Sequence, residues 1–273
     1  MKKSTFWIIL LLLGIALYAG WKHYFGPQQP ETLVIDQPAI PAMVEEPPIR
    51  YPVPAEELVE TAQEAAAPAE KPQPLPPLEE SDASLRSALE RLFAGQPLDQ
   101  LLLFDNLAKR VVITSNNLMS PTLPVKRRPT QSVPGVFMAG GDPGNAVISP
   151  ENYPRYLPFI QLAQAAGSKQ ITAVYVRFYP LLQQSHENLG YRGYFNDRLV
   201  EVIDHLLATP MVAEPIPLVR PEVLYLFADP QLEALSSGQK LLIRMGQENA
   251  TQLKETLREL RQTLTTLQGK IKP

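Results

Sequence analysis

The pattern of apolar and polar positions divides this 273-residue chain into three stretches of different character. The first runs Phe6-Trp7-Ile8-Ile9-Leu10-Leu11-Leu12-Leu13-Gly14-Ile15-Ala16-Leu17-Tyr18-Ala19-Gly20-Trp21 without a charge. Lys22-His23-Tyr24-Phe25 lengthen it towards the roughly 20 residues that cross a bilayer, because their polar tips can reach the interface. Trp7 at one end and Trp21, Tyr24 and Phe25 at the other form an aromatic belt. Lys2 and Lys3 precede the run and an acidic stretch follows it, so the positive-inside rule keeps the N-terminus in the cytoplasm. Cleavage after Ala19 would put Leu17 where a signal peptidase requires a small residue. Residues 1–25 therefore read as a cytoplasmic stub and a transmembrane signal-anchor helix, with residues 6–25 in the lipid bilayer.

The second stretch, residues 26–77, holds 13 prolines, nine acidic side chains and two basic ones. No amphipathic period survives that proline density, and so little apolar surface cannot offset the ordering entropy of the chain. Residues 56–67 are rich in helix formers, but a short unsupported helix is marginal in water. The stretch reads as a Pro/Glu-rich disordered linker. Fully extended at about 3.1 Å per residue it would reach roughly 160 Å, and far less as a coil.

Helical periodicity governs the third stretch, residues 78–273. Ser81 or Asp82 caps a first helix with Leu85, Leu89, Leu92 and Phe93 on one face, stopped at Gly95. A second helix is expected from Leu98 to about Asn117, antiparallel to the first. Residues 118–134, with four prolines and Lys126-Arg127-Arg128, read as an extended arm. A hairpin is expected next, pairing residues 136–139 with 146–148. Ser149-Pro150 restarts helix, with a kink expected at Pro158. After Gly167-Ser168 a helix carries Ile171, Val174, Tyr175, Phe178, Leu181 and Leu182. Asn196 is expected to cap another, burying Leu199, Val202, Ile203, Leu206 and Leu207. Prolines 210, 215, 217 and 221 hold the chain extended into Val223-Leu224-Tyr225-Leu226-Phe227. One helix is expected from Asp229-Pro230 to Gly246, and a last one from about Gln247 to Gln268. The predicted fold class is mainly α: a helical domain with a small β-hairpin element, preceded by a transmembrane helix and a disordered Pro-rich linker.

Composition narrows the chemistry. The absence of Cys excludes disulfides, thiolate metal sites and thiol nucleophiles. A formal charge of −3 argues against a nucleic-acid binder. No Gly-x-Ser-x-Gly elbow, phosphate-cradling loop or dinucleotide fingerprint is present, and no cofactor is implied. Ser237-Gly238-Gln239-Lys240 matches the Ser-x-x-Lys pattern of penicillin-binding enzymes. The partner motifs are missing or out of order, so the match reads as chance and no catalytic residue is assigned.

Three constellations remain. Asp197, Glu201 and His205 follow at four-residue spacing, so two carboxylates and an imidazole share one helix face. Such a stripe could ligate a metal or place a general base, whereas the plainer reading is a polar face of ion pairs. Nine Phe and Tyr residues fall between Tyr153 and Phe195. With nearby arginines, Tyr153, Arg155, Tyr156, Tyr194 and Arg198 are candidates for a ligand-binding groove, against core packing as the default. Finally, Ala250, Leu253, Leu257, Leu260, Leu264, Leu267 and Ile271 alternate spacings of three and four. That stripe fits a helix docked on its own domain, or self-association through residues 250–271.

Several segments carry a family resemblance. They are Asn152-Tyr153 with Arg155-Tyr156, the run from Gly193-Tyr194-Phe195-Asn196-Asp197-Arg198 through His205-Leu206-Leu207, Phe227-Ala228-Asp229-Pro230, and Leu235-Ser236-Ser237-Gly238-Gln239-Lys240. These resemble an uncharacterised Gram-negative envelope family, catalogued only as a domain of unknown function (family 3014), over most of residues 78–265. The resemblance implies an N-terminal anchor, a Pro-rich spacer and one helical periplasmic domain, and no activity. The expected protein is a single-pass inner-membrane scaffold or interaction module of the cell envelope, non-enzymatic, with an envelope protein partner. The alternatives are an envelope enzyme using the Asp197/Glu201/His205 face and a glycan- or peptide-binding protein.

Overall fold

The computed structural model describes residues 48–53, 74–142 and 144–267. The expected membrane span at 6–25, and most of the Pro-rich stretch, lie outside these residues. Among the described residues no helix is long and apolar enough to cross a membrane.

The domain is mainly α with small two-stranded hairpins. In chain order the helices are α1 (Asp82–Leu92), α2 (Leu98–Leu101), α3 (Leu107–Asn117), α4 (Leu157–Gln164), α5 (Ser168–Asn188), α6 (Phe195–Leu207), α7 (Pro230–Glu233), α8 (Ser237–Arg244) and α9 (Gln247–Thr265). Strands β1 (Ala139–Gly140) and β2 (Val147–Ile148) pair antiparallel, as do β3 (Leu218–Val219) and β4 (Leu226–Phe227).

Helices α5, α6 and α9 form the frame. Lys254 Nζ donates to the Thr209 carbonyl at 2.5 Å, just past the end of α6, while Arg261 pairs with Asp204. Leu264 packs against Val200 and Ile203, nearer the start of α6. Those contacts set α9 antiparallel along α6. The leucine stripe is spent on this packing. Ala250 and Leu253 meet Ile160, Leu242 and Met245, and Leu257, Leu260, Leu264 and Leu267 meet Val176, Val200 and Ile203. Ile271 lies outside the described residues. In a second cluster, Leu85 and Ala88 of α1 and Leu107, Ala108 and Val112 of α3 pack with Phe178, Leu181 and Leu182 of α5 and Phe195 of α6.

Several local expectations are corrected. The run from Leu98 to Asn117 is not one helix: Leu102 turns extended and bridges Thr130, and the chain re-enters helix through Asn106 at φ 52°. Asp82 is the reason the restart is possible, since its carboxylate accepts the Asn106 and Leu107 N–H groups at 2.6 and 2.9 Å. It therefore caps α3, not its own helix, and Ser81 Oγ turns back to the Leu78 carbonyl. Pro158 sits in the first turn of α4, where its missing N–H is harmless, after a 3₁₀ segment Pro150–Tyr156, so no single kinked helix forms. The helix expected from Asp229 to Gly246 is two, because Ser236 Oγ accepts the Gln239 N–H and starts α8 afresh. Asn196 does not cap α6. It lies inside the first turn, with its side chain committed elsewhere. Residues 218–227, expected as extended chain, pair as the β3–β4 ribbon. Ile148, Ile216, Leu218, Phe227 and Ile243 bury a small core between the two ribbons and α8.

Two substitutions test this packing. Leu264 is 1% exposed, and Leu264→Ala should cost about 2–5 kcal/mol in chemical denaturation. Gly246 has φ +87°, and an added Cβ would stand 2.7 Å from the Tyr153 ring. Gly95 has φ +85° with nothing within 4 Å. Gly246→Ala should therefore destabilise by roughly 1–3 kcal/mol more than Gly95→Ala, the excess measuring the ring contact apart from backbone strain.

Candidate functional site

The first turn of α6 is buried as a unit. Phe195 packs into the core formed with α1, α3 and α5, and Asn196 beside it is 0% exposed and Asp197 only 7%. A buried amide and a buried carboxylate need partners. They find them in residues 48–53, inside the stretch read as linker. Asp197 Oδ2 accepts the Arg50 N–H at 2.9 Å and Oδ1 accepts the Tyr51 N–H at 2.8 Å. Asn196 Nδ2 donates to the Tyr51 carbonyl at 2.8 Å. The Tyr175 hydroxyl donates to Asn196 Oδ1 at 3.0 Å, which orients the amide. Burial pushes the Tyr175 phenol well above its ordinary value, so it stays a donor. Tyr51 is thus held by its N–H and its C=O together, at a bend of the chain.

Side chains complete the contact. Tyr51 and Val53 pack on Val176, Val200, Ile203, Leu264 and Leu267, supplied by α5, α6 and the end of α9. The Arg50 guanidinium pairs with Glu201, which also receives Arg198 at 3.2 Å. Burial opposes ionisation of Glu201, but the hydrogen bonds from Arg50 and Arg198 outweigh it and hold this carboxyl below its usual range. The Arg50 side chain is 54% exposed, so that ion pair adds little by itself.

The three residues of the expected metal or catalytic stripe are engaged by four others, Arg50 reaching two of them. Asp197 takes the amides, Glu201 takes the two arginines, and His205 Nε2 lies 2.8 Å from Ser236 Oγ at the start of α8. Among the described residues no group of three or more His, Cys, Asp or Glu side chains is placed to hold a metal ion.

The five groove candidates fall into two sets. Tyr153 packs in the ribbon core under Gly246, Tyr156 packs with Ile160 and Leu242, and Arg155 is tied to the Pro134 and Gly135 carbonyls and to Asn152. Burial, with Glu214 beside it, pushes the Tyr153 phenol up to about 12. Tyr194 and Arg198 belong instead to the start of α6, where Arg198 also donates to the Asn116 carbonyl. The Ser237 hydroxyl donates to the Asn117 carbonyl, and Lys240 binds Glu233, so the Ser-x-x-Lys pair is not assembled. A recess of about 350 Å³ beside α1 and α2 has two carboxylates on its rim, Glu90 and Asp99, both paired with Arg86.

Sequence pattern marks Asn196 only as a helix cap and Tyr175 only as a position on a helix face, and it leaves Arg50 and Tyr51 inside the linker. One signal was present: within residues 26–77, Tyr51 is the sole aromatic residue and Arg50 the sole Arg, side by side and followed by Pro52.

Fold and site together define a helical domain that grips a bent, proline-flanked segment by its main chain. The chain belongs to the family described as "Protein of unknown function (DUF3014)", whose model matches residues 107–261, more than half of the chain. No curated protein and no solved structure matches it.

The electrostatics give a pH prediction. A carboxyl held below its usual value near 4.5 contributes stability that is fully present above that value and lost as pH falls through its folded pKa. The stability difference between wild type and Glu201→Gln should be under about 1 kcal/mol at neutral pH, the pair being half exposed. It should shrink towards zero between pH 4.5 and 3 in thermal melts. A difference constant down to pH 3 would remove Glu201 as the titrating group.

Proposed function

We propose that the protein is a single-pass inner-membrane protein of a Gram-negative envelope, presenting a non-enzymatic interaction module to the periplasm. The observation that carries the interaction reading is the Asn196–Asp197 clamp on the Tyr51 main chain. The most buried polar side chains at the start of α6 serve to hold a peptide segment, which is the work of a binding module. The membrane and periplasmic parts rest on the uncharged run at 6–21 and the lysines before it. The enzyme alternative requires Asp197, Glu201 and His205 to act together, and their separate engagements favour the binding reading over it.

Cross-linking in intact cells, followed by purification of the full-length chain, tests this reading. A stoichiometric envelope partner is expected, with recovery reduced several-fold by Asp197→Ala in a chain of unchanged melting profile. Recovery of the chain alone, or only with itself, overturns the module reading. A C-terminal alkaline phosphatase fusion should be active, since that enzyme matures only outside the cytoplasm; an inactive fusion overturns the assigned topology.

A further inference from the structure

The clamp has the properties of a ligand site and not only of a fold contact. Its polar bonds go to main-chain atoms, so they would hold any peptide that bends to turn two consecutive free N–H groups to one side, as the chain does at Arg50 and Tyr51. The seated segment satisfies that requirement narrowly. Pro48 and Pro52 have no N–H, and of the three residues between them Asp197 engages two, Arg50 and Tyr51. Pro52 restricts the backbone of Tyr51 before it, so the segment has less freedom to lose on docking. Selectivity comes from side chains: an aromatic ring and an aliphatic residue two positions later on the α5–α6–α9 seam, and a cation facing Glu201. Ile49, 43% exposed, adds nothing to the grip. The segment reaches the domain core only through residues 54–77, whose composition is that of a spacer.

We propose that the seam of α5, α6 and α9 is a binding site for bent peptides of the pattern Arg-aromatic-Pro-aliphatic, and that residues 50–53 are its resident intramolecular ligand. A partner bearing such a segment binds by displacing the resident one. The site is then self-occupied at rest, and the affinity a partner shows is its intrinsic affinity reduced by competition with a ligand present at millimolar effective concentration. This rests on the reading of the domain as an interaction module. It is tested separately from it, with purified components.

The probe is a fluorescein-labelled peptide of residues 46–55, titrated by anisotropy against the full chain in detergent. The receiver carries Arg50→Ala, Tyr51→Ala and Val53→Ala together, which disarm the resident segment without touching the helices. The peptide should bind this chain with a dissociation constant below about 0.1 mM, the affinity at which an intramolecular ligand at millimolar effective concentration is seated about nine-tenths of the time. It should bind wild type at least about tenfold more weakly, because the resident segment competes. Asp197→Ala in the disarmed chain should cost at least about tenfold, and a peptide with Tyr51→Ala should lose more than one with Arg50→Ala. No binding by a disarmed chain that melts like wild type overturns the proposal. So does equal binding to wild type and the disarmed chain, or binding indifferent to Asp197→Ala.

Should the triple variant fail to fold, hydrogen exchange on the wild-type chain decides. The Arg50 and Tyr51 amides should be protected alone and lose protection as unlabelled peptide is added. Amides already unprotected, or protected regardless of peptide, overturn the proposal, and protection that appears only as the chain dimerises shows a second copy's segment in the seam and overturns the intramolecular assignment. Peptide binding with no partner captured in cells defeats the module reading while leaving the site standing.

Discussion

Helix α9 has one apolar face, and burying it on α4, α5 and α6 is the constraint from which the rest of the domain follows. Leu257, Leu260, Leu264 and Leu267 cover Val176, Val200 and Ile203, which fixes α5 and α6 beside each other. Lys254 and Arg261 set the register. The Lys254 ammonium reaches the Thr209 carbonyl just past α6, where the helix dipole favours a cation, and Arg261 meets Asp204 about one and a half turns earlier. Burial of Lys254 holds its pKa below the usual lysine value, a cost offset by that carbonyl and by the packing of its stem. With α9 in place, the end of α6 near Phe195 is pressed into the second core, and Asn196 and Asp197 are carried out of solvent with it.

That burial explains why the start of α6 binds something. A carboxylate with no partner at such depth would be strongly unfavourable, whereas one that accepts two amide hydrogens is well satisfied. The domain uses the device twice. Asp82 accepts the Asn106 and Leu107 amides and so starts α3 after a left-handed residue, while Asp197 accepts the Arg50 and Tyr51 amides of a segment distant in sequence. The first joins elements close along the chain and belongs to the fold. The second ties the domain to residues 50–51, and Asn196, oriented by Tyr175, adds the carbonyl contact that the first lacks.

For function, the polar stripe at four-residue spacing is real as a face and divided in use. Its three members lie along α6, but each meets a different group: the Arg50 and Tyr51 amides at Asp197, the Arg50 and Arg198 guanidiniums at Glu201, and Ser236 of the α8 cap at His205. Spacing puts side chains on one face. What meets each of them depends on elements far away in the chain.

Local patterns in the sequence determined the helical class, the hairpin at 139–148, the break at Gly167 and the leucine stripe of the last helix, because each depends on periodicity or on backbone preferences within a few residues. They did not determine where helices stop when a distant group decides it: Asp82 capping α3, Ser236 restarting α8 and Leu102 bridging Thr130 all override continuous apolar runs. Nor did they reveal the clamp. Asn196 reads locally as a helix cap and Arg50-Tyr51 as spacer, and only the packing that buries the first turn of α6 turns the one into a main-chain donor and the other into its ligand. Burial is a property of the assembled core, so the demand for a partner that it creates exists only in the tertiary structure.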